Sequence, residues 1–202
     1  MRAWQFEGKD ANQYEKYMDY VRRVKQQGIP SLGTGAYGRV WQHPVYKNVA
    51  VKFFDDDGEY RKFLRFVLQN PRNRYLPQII PASDGKLWHK KKVSEFGKPK
   101  TVYFVFMKRY SRVNEAQISN LFDQWMAAAG IKKTEKFYKR IFNNSYYWTQ
   151  WARSPMLAQR DPDAHALAQF IDQNSHTLDL HPGNMMWDSG TKTVIFTDPL
   201  AG

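Results

Sequence analysis

The chain has 202 residues, enough for one large domain or two small lobes, and 42% hydrophobic with 16% aromatic residues can build a packed core. The absence of cysteine excludes disulfides, thiolate zinc sites and cysteine nucleophiles, and no apolar run approaches the roughly 20 residues of a membrane span. Lys and Arg total 31 against 19 Asp and Glu; the formal charge of +12 suits polyanionic partners or a merely soluble basic surface.

Met1-Arg2-Ala3-Trp4-Gln5 lacks the apolar stretch of a signal peptide, and a cytoplasmic protein without membrane contact is expected. Residues 10–27 predict a helix that Asp10 can cap and that Gly28 and Pro30 stop, with Tyr14, Tyr17, Met18, Val21 and Val24 at helical spacing. Residues 31–40 are glycine-rich, and Val49-Ala50-Val51-Lys52-Phe53-Phe54 is a run of strand formers bearing one lysine. Asp55-Asp56-Asp57-Gly58 suits a turn and helix start, and 59–68 a short helix stopped near Asn70-Pro71.

Strands are predicted near 86–93 and at 101–107, joined across a Gly97-Lys98-Pro99-Lys100 turn. With Lys90-Lys91-Lys92 they form a basic hairpin, whose sparse aromatics favour a solvated loop over a nucleic-acid site. Residues 114–151 are mainly helical. Among their aromatics, Trp125, Phe137, Tyr138, Phe142, Tyr146, Tyr147, Trp148 and Trp151 read as core before ligand platform. Asp161-Pro162 starts a helix ending near Asn174, and 193–197 is a strand. The break between lobes falls after Met107, giving an N-terminal lobe 1–107 and a reduced C-terminal lobe 108–202.

Four motifs carry chemistry. Gly33-Thr34-Gly35-Ala36-Tyr37-Gly38-Arg39-Val40 reads G-x-G-x-x-G-x-V, where glycines let backbone N–H groups approach phosphates. A dinucleotide-binding turn would lead into a helix and an acid; here β-type residues and Lys52 follow. Lys52, on its apolar strand, can reach phosphates or lie at an exposed hairpin edge. Asp179-Leu180-His181-Pro182-Gly183-Asn184 has D-x-x-x-x-N spacing, in which the aspartate orients a hydroxyl proton and the asparagine meets a metal. Asp198 ends an apolar strand fourteen residues after Asn184, as a second magnesium ligand would. Alone, the glycine loop, the Asp179–Asn184 loop and Asp198 each also suit an ordinary turn. Their order is the stronger signal.

With these motifs in this order, the chain resembles the protein-kinase-like superfamily. Asp179-Leu180-His181-Pro182-Gly183-Asn184 with Thr197-Asp198-Pro199 looks most like the early serine/threonine kinases of lytic short-tailed bacteriophages, and is similar to loops in aminoglycoside, choline and sugar kinases. The resemblance implies an α+β bilobal fold: a small antiparallel sheet, a reduced and mostly helical second lobe, and ATP between them. It implies that Gly33, Thr34, Gly35, Ala36, Tyr37 and Gly38 cover the phosphates, that Val40 and Ala50 roof the adenine, and that Met186 floors it. Lys52 holds the α- and β-phosphates, Asp179 is the base, and Asn184 and Asp198 bind Mg2+, with Mn2+ as a substitute. Residues 106–110, Met107 among them, would bond adenine through their backbone. Glu59, or alternatively Glu95, would pair with Lys52.

Leu178, not arginine, precedes Asp179, and Asp198-Pro199-Leu200 replaces Asp-Phe-Gly. Gly202 follows four residues later, so no activation segment is expected. The implied partners are host proteins, of transcription or RNA processing, and the chain itself, in the host cytoplasm; the basic surface could add nucleic acid. Two rivals stand beside a protein kinase: a small-molecule kinase, and a non-catalytic basic protein that occupies a host factor.

Overall fold

The structure, a computed structural model, describes residues 28, 30–34, 38–43, 45–54, 58–80, 89–95, 98–132, 142, 145–174 and 179–200. The helix predicted over 10–27, the glycine-loop residues Gly35, Ala36 and Tyr37, the acidic turn at 55–57, and Phe137 and Tyr138 lie outside them. The chain divides into two compact units. The first takes its residues from 1–57 and 78–109, the second from 58–77 and 110–202. The class is α+β, with an antiparallel sheet in the first unit and mostly helices in the second, as the sequence predicts.

The first unit is a five-stranded sheet of β1 (Ser31–Thr34), β2 (Gly38–Gln42), β3 (Val49–Phe54), β4 (His89–Glu95) and β5 (Lys98–Lys108), in the order β1-β2-β3-β5-β4. Every pairing is antiparallel. All six residues of β3 are buried, which explains a run of Val, Ala and Phe without polar alternation. Opposite residues of an antiparallel pair share a face. Trp41, Val51 and Phe106 therefore line up on one face, where Phe104 lies 5.7 Å from both Phe53 and Phe106.

The β2–β3 turn is built on buried His43, whose Nδ1 accepts the amides of Val45 and Tyr46, each at 3.1 Å. Burial holds the His43 imidazole below its ordinary pKa.

The basic hairpin departs from the predicted boundaries. Lys98, Pro99 and Lys100 belong to β5, where they pair with Glu95, Ser94 and Val93 of β4. Pro99 is tolerated because, among the described residues, this stretch is flanked by β4 alone; β5 meets β3 only from Tyr103 onward.

In the second unit, α1 (Gly58–Gln69) buries Tyr60, Phe63, Leu64 and Val67. Phe66 stacks on Phe170 of α5 (Pro162–Gln173), with centroids 4.3 Å apart. The sequence places 58–77 with the N-terminal lobe; in the structure this stretch groups with the helical unit. α2 (Glu115–Ala129) opens on a reciprocal capping box between Asn114 and Gln117 and closes at Gly130, with φ 69°. α3 (Ser145–Ala152) follows, then α4 (Pro155–Arg160), which was not predicted although Ser154-Pro155 is a legible N-cap and first-turn pair. Asp161 caps α5, as expected.

A three-stranded sheet of β6 (Ser111–Arg112), β7 (Met185–Asp188) and β8 (Thr193–Phe196) completes the unit. Phe122, Trp125, Trp148, Trp151 and Phe196 are fully buried together. Phe122 stacks on Trp151 at 5.5 Å, and Trp125 on Phe196 at 5.9 Å. Trp125, Tyr147, Trp148 and Trp151 are core, as the sequence favours, whereas Tyr146, expected with them, is exposed. Among the described residues, no helix is long and apolar enough to cross a membrane.

Candidate active site

Sheet register gathers the first unit's candidate residues. Val40 faces Lys52 across β2–β3, Lys52 faces Val105 across β3–β5, and Ala50 faces Met107. Ala50 and Lys52 are two apart on one strand, so Val40, Ala50, Lys52 and Met107 share one face. Lys52 is buried at 8% exposure, rare for a lysine, and it is not without a partner.

Gly33 lies opposite Val40 in β1. Its φ is not positive, and a Cβ built there would meet no atom within 4 Å. Neither backbone conformation nor packing within the protein therefore demands glycine at 33. Gly38 opens β2, and Thr34 pairs with Arg39.

Of the segment expected to bond adenine, Lys108 N donates to Gln78 O (2.9 Å), Arg109 N donates to Asn48 O (2.8 Å), and Phe106 O accepts from Ile80 N (2.9 Å). These backbone groups are committed within the protein, which narrows the adenine contacts available to 106–110.

In the second unit the loop 179–184 ends in a single 3-10 turn, Pro182–Asn184. His181 Nδ1 accepts the Gly183 amide at 3.0 Å, and Asn184 N donates to His181 O at 2.9 Å. A Cβ at Gly183 would come within 2.6 Å of the His181 ring, so a larger residue would displace that ring. Asn184 Nδ2 donates to Asp179 O (2.7 Å) and to Asp179 Oδ2 (3.1 Å). The amide nitrogen is thus turned toward Asp179. That leaves the Asn184 carbonyl oxygen, a hard neutral donor, to meet a cation. Asp179 Oδ1 lies 3.8 Å from His181 Nε2, and the Asp179 side chain is 47% exposed.

Asp198 is brought to this loop by its neighbours. Thr197 donates from both N (2.9 Å) and Oγ1 (3.0 Å) to Asn184 O, and Pro199 O accepts from Asp179 N at 3.0 Å. The half-buried Asp198 is therefore bracketed, one neighbour tied to Asn184 and the other to Asp179. Sequence spacing names these three residues but contains no signal for the bonds that join them, which link positions 13 and 20 apart. Thr197 and His181 are structural parts of the site that motif reading alone leaves without a role.

Met186, half-buried in β7, pairs with Ile195 and Arg112. Glu59 lies in the first turn of α1, where its Oε1 accepts from Lys62 Nζ at 2.6 Å. Glu95 ends β4 opposite Lys98.

No protein-family model matches the chain, and no curated protein does. Among solved structures, it is similar to the streptomycin-ATP-APH(2")-IIa ternary complex, at 15% identity and a TM-score of 0.33, over 96% of this chain and 73% of that one.

Proposed function

We propose that this chain is an ATP- and Mg2+-dependent phosphotransferase of the protein-kinase-like superfamily, acting on serine or threonine of proteins. The observation that carries the reading is the bracketing of Asp198 between Asn184 and Asp179. It joins an acceptor carboxylate, a neutral oxygen donor and a second carboxylate, the set that phosphoryl transfer uses.

The donor chemistry fits magnesium, which takes one or two carboxylates or carbonyls and fills its shell with water and phosphate oxygens. Asn184 Oδ1 and Asp198 would hold it, and when bound it would neutralise charge on the phosphates. Asp179, oriented by the Asn184 amide and open to solvent, would accept the hydroxyl proton of the acceptor. Lys52 would hold α- and β-phosphates, with Glu59 or alternatively Glu95 as the candidate acid partner. The open space at Gly33 fits a ligand approaching the backbone of the glycine-rich strand. Gly35, Ala36, Tyr37 and Gly38 would continue that cover, while Val40, Ala50, Met107 and Met186 would line the adenine.

The string Asp179-Leu180-His181-Pro182-Gly183-Asn184 with Thr197-Asp198-Pro199 supports the phage type, with host transcription or RNA-processing proteins and the chain itself as acceptors. The surplus positive charge suits acidic protein or nucleic-acid partners.

The test is transfer of labelled phosphate to protein, in host lysate and on the chain itself, for the parent and for Asp179→Asn. The variant should fold, bind nucleotide as the parent does, and lose about 10²–10⁴-fold in transfer. A folded variant that transfers at the parental rate removes the base assignment. Transfer to small hydroxyl compounds instead of protein moves the reading to a small-molecule kinase.

A further inference from the structure

Asp161 is buried in the second unit, yet no motif in the chain assigns it a role beyond capping α5. Its Oδ1 accepts the Ala164 amide at 3.1 Å as an N-cap. Its Oδ2 accepts from Tyr75 OH and from Arg74 Nη2, both at 2.5 Å, and Arg74 Nη2 also donates to Tyr75 OH at 2.8 Å. The same short segment is tied a second time to the start of α5. Asn73 Nδ2 donates to Asp163 O at 2.8 Å, and Arg74 N donates to Asp163 Oδ2 at 3.2 Å.

The other end of this network lies on β8. Tyr75 O accepts from Phe196 N at 2.9 Å, so the segment occupies the edge of β8 that β7 leaves open. The Tyr75 ring stands edge-on to Trp125 at 5.1 Å, and Trp125 stacks on Phe196. Phe196 is two residues before Asp198, and Thr197 is already fixed to Asn184.

We infer that residues 73–75 form a strap in which Tyr75 and Asp161 are positioning residues: they lock β8 to the α5 N-terminus and so set where the Asp198 carboxylate meets a divalent cation. This rests on the phosphotransferase reading for the cation but adds residues that no motif supplies. A charge-assisted bond to a buried carboxylate is short and directional, and so suits the holding of a strand end. The β7 ladder sets the register of β8 along one edge, and the strap holds the other edge at Phe196. Burial and the bond to Asp161 together push the Tyr75 phenol up to about 12, so it stays a donor even above its ordinary pKa.

The experiment follows Mn2+ binding to the intact chain with ATP present, by electron paramagnetic resonance of the free ion, and follows folding by thermal denaturation. Tyr75→Phe removes one hydroxyl and keeps the ring on Trp125. It should weaken Mn2+ about tenfold, the lower end of the 10–100-fold cost of losing a partner behind a metal ligand, while metal-free ATP binds as before. In an Asp198→Asn background the same change should cost nothing further, because the strap acts through a ligand already lost. A merely stabilising role would lower the melting temperature in both backgrounds and leave the metal midpoint in place. Parental Mn2+ affinity in Tyr75→Phe, or equal weakening in both backgrounds, overturns the strap. If Tyr75→Phe does not fold, Arg74→Lys, which keeps the charge but loses the shared fork, is read against the same outcomes. A parent chain that binds no Mn2+ with ATP overturns the phosphotransferase reading, and the strap with it.

Discussion

In the first unit Lys52 sits on a strand buried along its whole length, and ladder register decides which residues share its face. In the second, Asp179 sits in a half-exposed loop whose shape is kept by a handful of side-chain and backbone bonds, with five large aromatics behind them. A strand transmits position through many equivalent hydrogen bonds, so no single side chain is decisive. A loop transmits it through few, so Asn184, Thr197 and Gly183 each matter individually. Placement of Asp198 in turn depends on a core that is far from polar.

The largest effect that would sharpen this contrast is in the core behind the loop. Phe196→Ala removes a fully buried ring stacked on Trp125 and should cost about 3–5 kcal/mol, as large-to-small aromatic truncations do. Denaturant unfolding measures it. A loss below 1 kcal/mol would mean that the aromatic cluster is not what carries the loop.

The two glycines should then behave in opposite ways. Gly33→Ala meets open space and should leave stability unchanged or raise it by up to about 1 kcal/mol, while weakening ATP binding. Gly183→Ala drives a Cβ into the His181 ring and should lower stability by about 1 kcal/mol, the smaller end for overpacking because that ring is half-exposed. Melting temperature with and without Mg-ATP separates them. A destabilised Gly33→Ala would return the first glycine to a purely structural role.

The smallest effects lie at the extremes of pH, one for each unit. Tyr75 has its folded pKa raised from 10.0 to about 12, so its neutral form is favoured by folding. Its contribution is fully present below pH 10 and should be lost as pH rises from 10 toward 12. His43 has its folded pKa lowered from 6.5. Its contribution is fully present above pH 6.5 and should fall away as pH drops below that value. Unfolding free energy against pH should lose its alkaline limb in Tyr75→Phe and its acid limb in His43→Gln. Limbs that persist in these variants would assign the titrations to other groups.

The sequence by itself determined the elements whose cause is local. β3 is legible as a run of strand formers bearing one lysine, α5 from Asp161-Pro162, and the residues Asp179, Asn184 and Asp198 from their spacing. It misplaced the turn of the basic hairpin, because a proline usually marks a turn and only an outer stretch of strand excuses Pro99. Tertiary structure alone decided that 58–77 belongs with the helical unit, that Val40, Ala50, Lys52 and Met107 share a face, and that Tyr75 joins Asp161 to β8. Propensity and spacing act over a few residues. The Tyr75–Asp161 bond spans 86 positions, and nothing in either residue's neighbourhood distinguishes it from an ordinary core tyrosine and an ordinary helix cap.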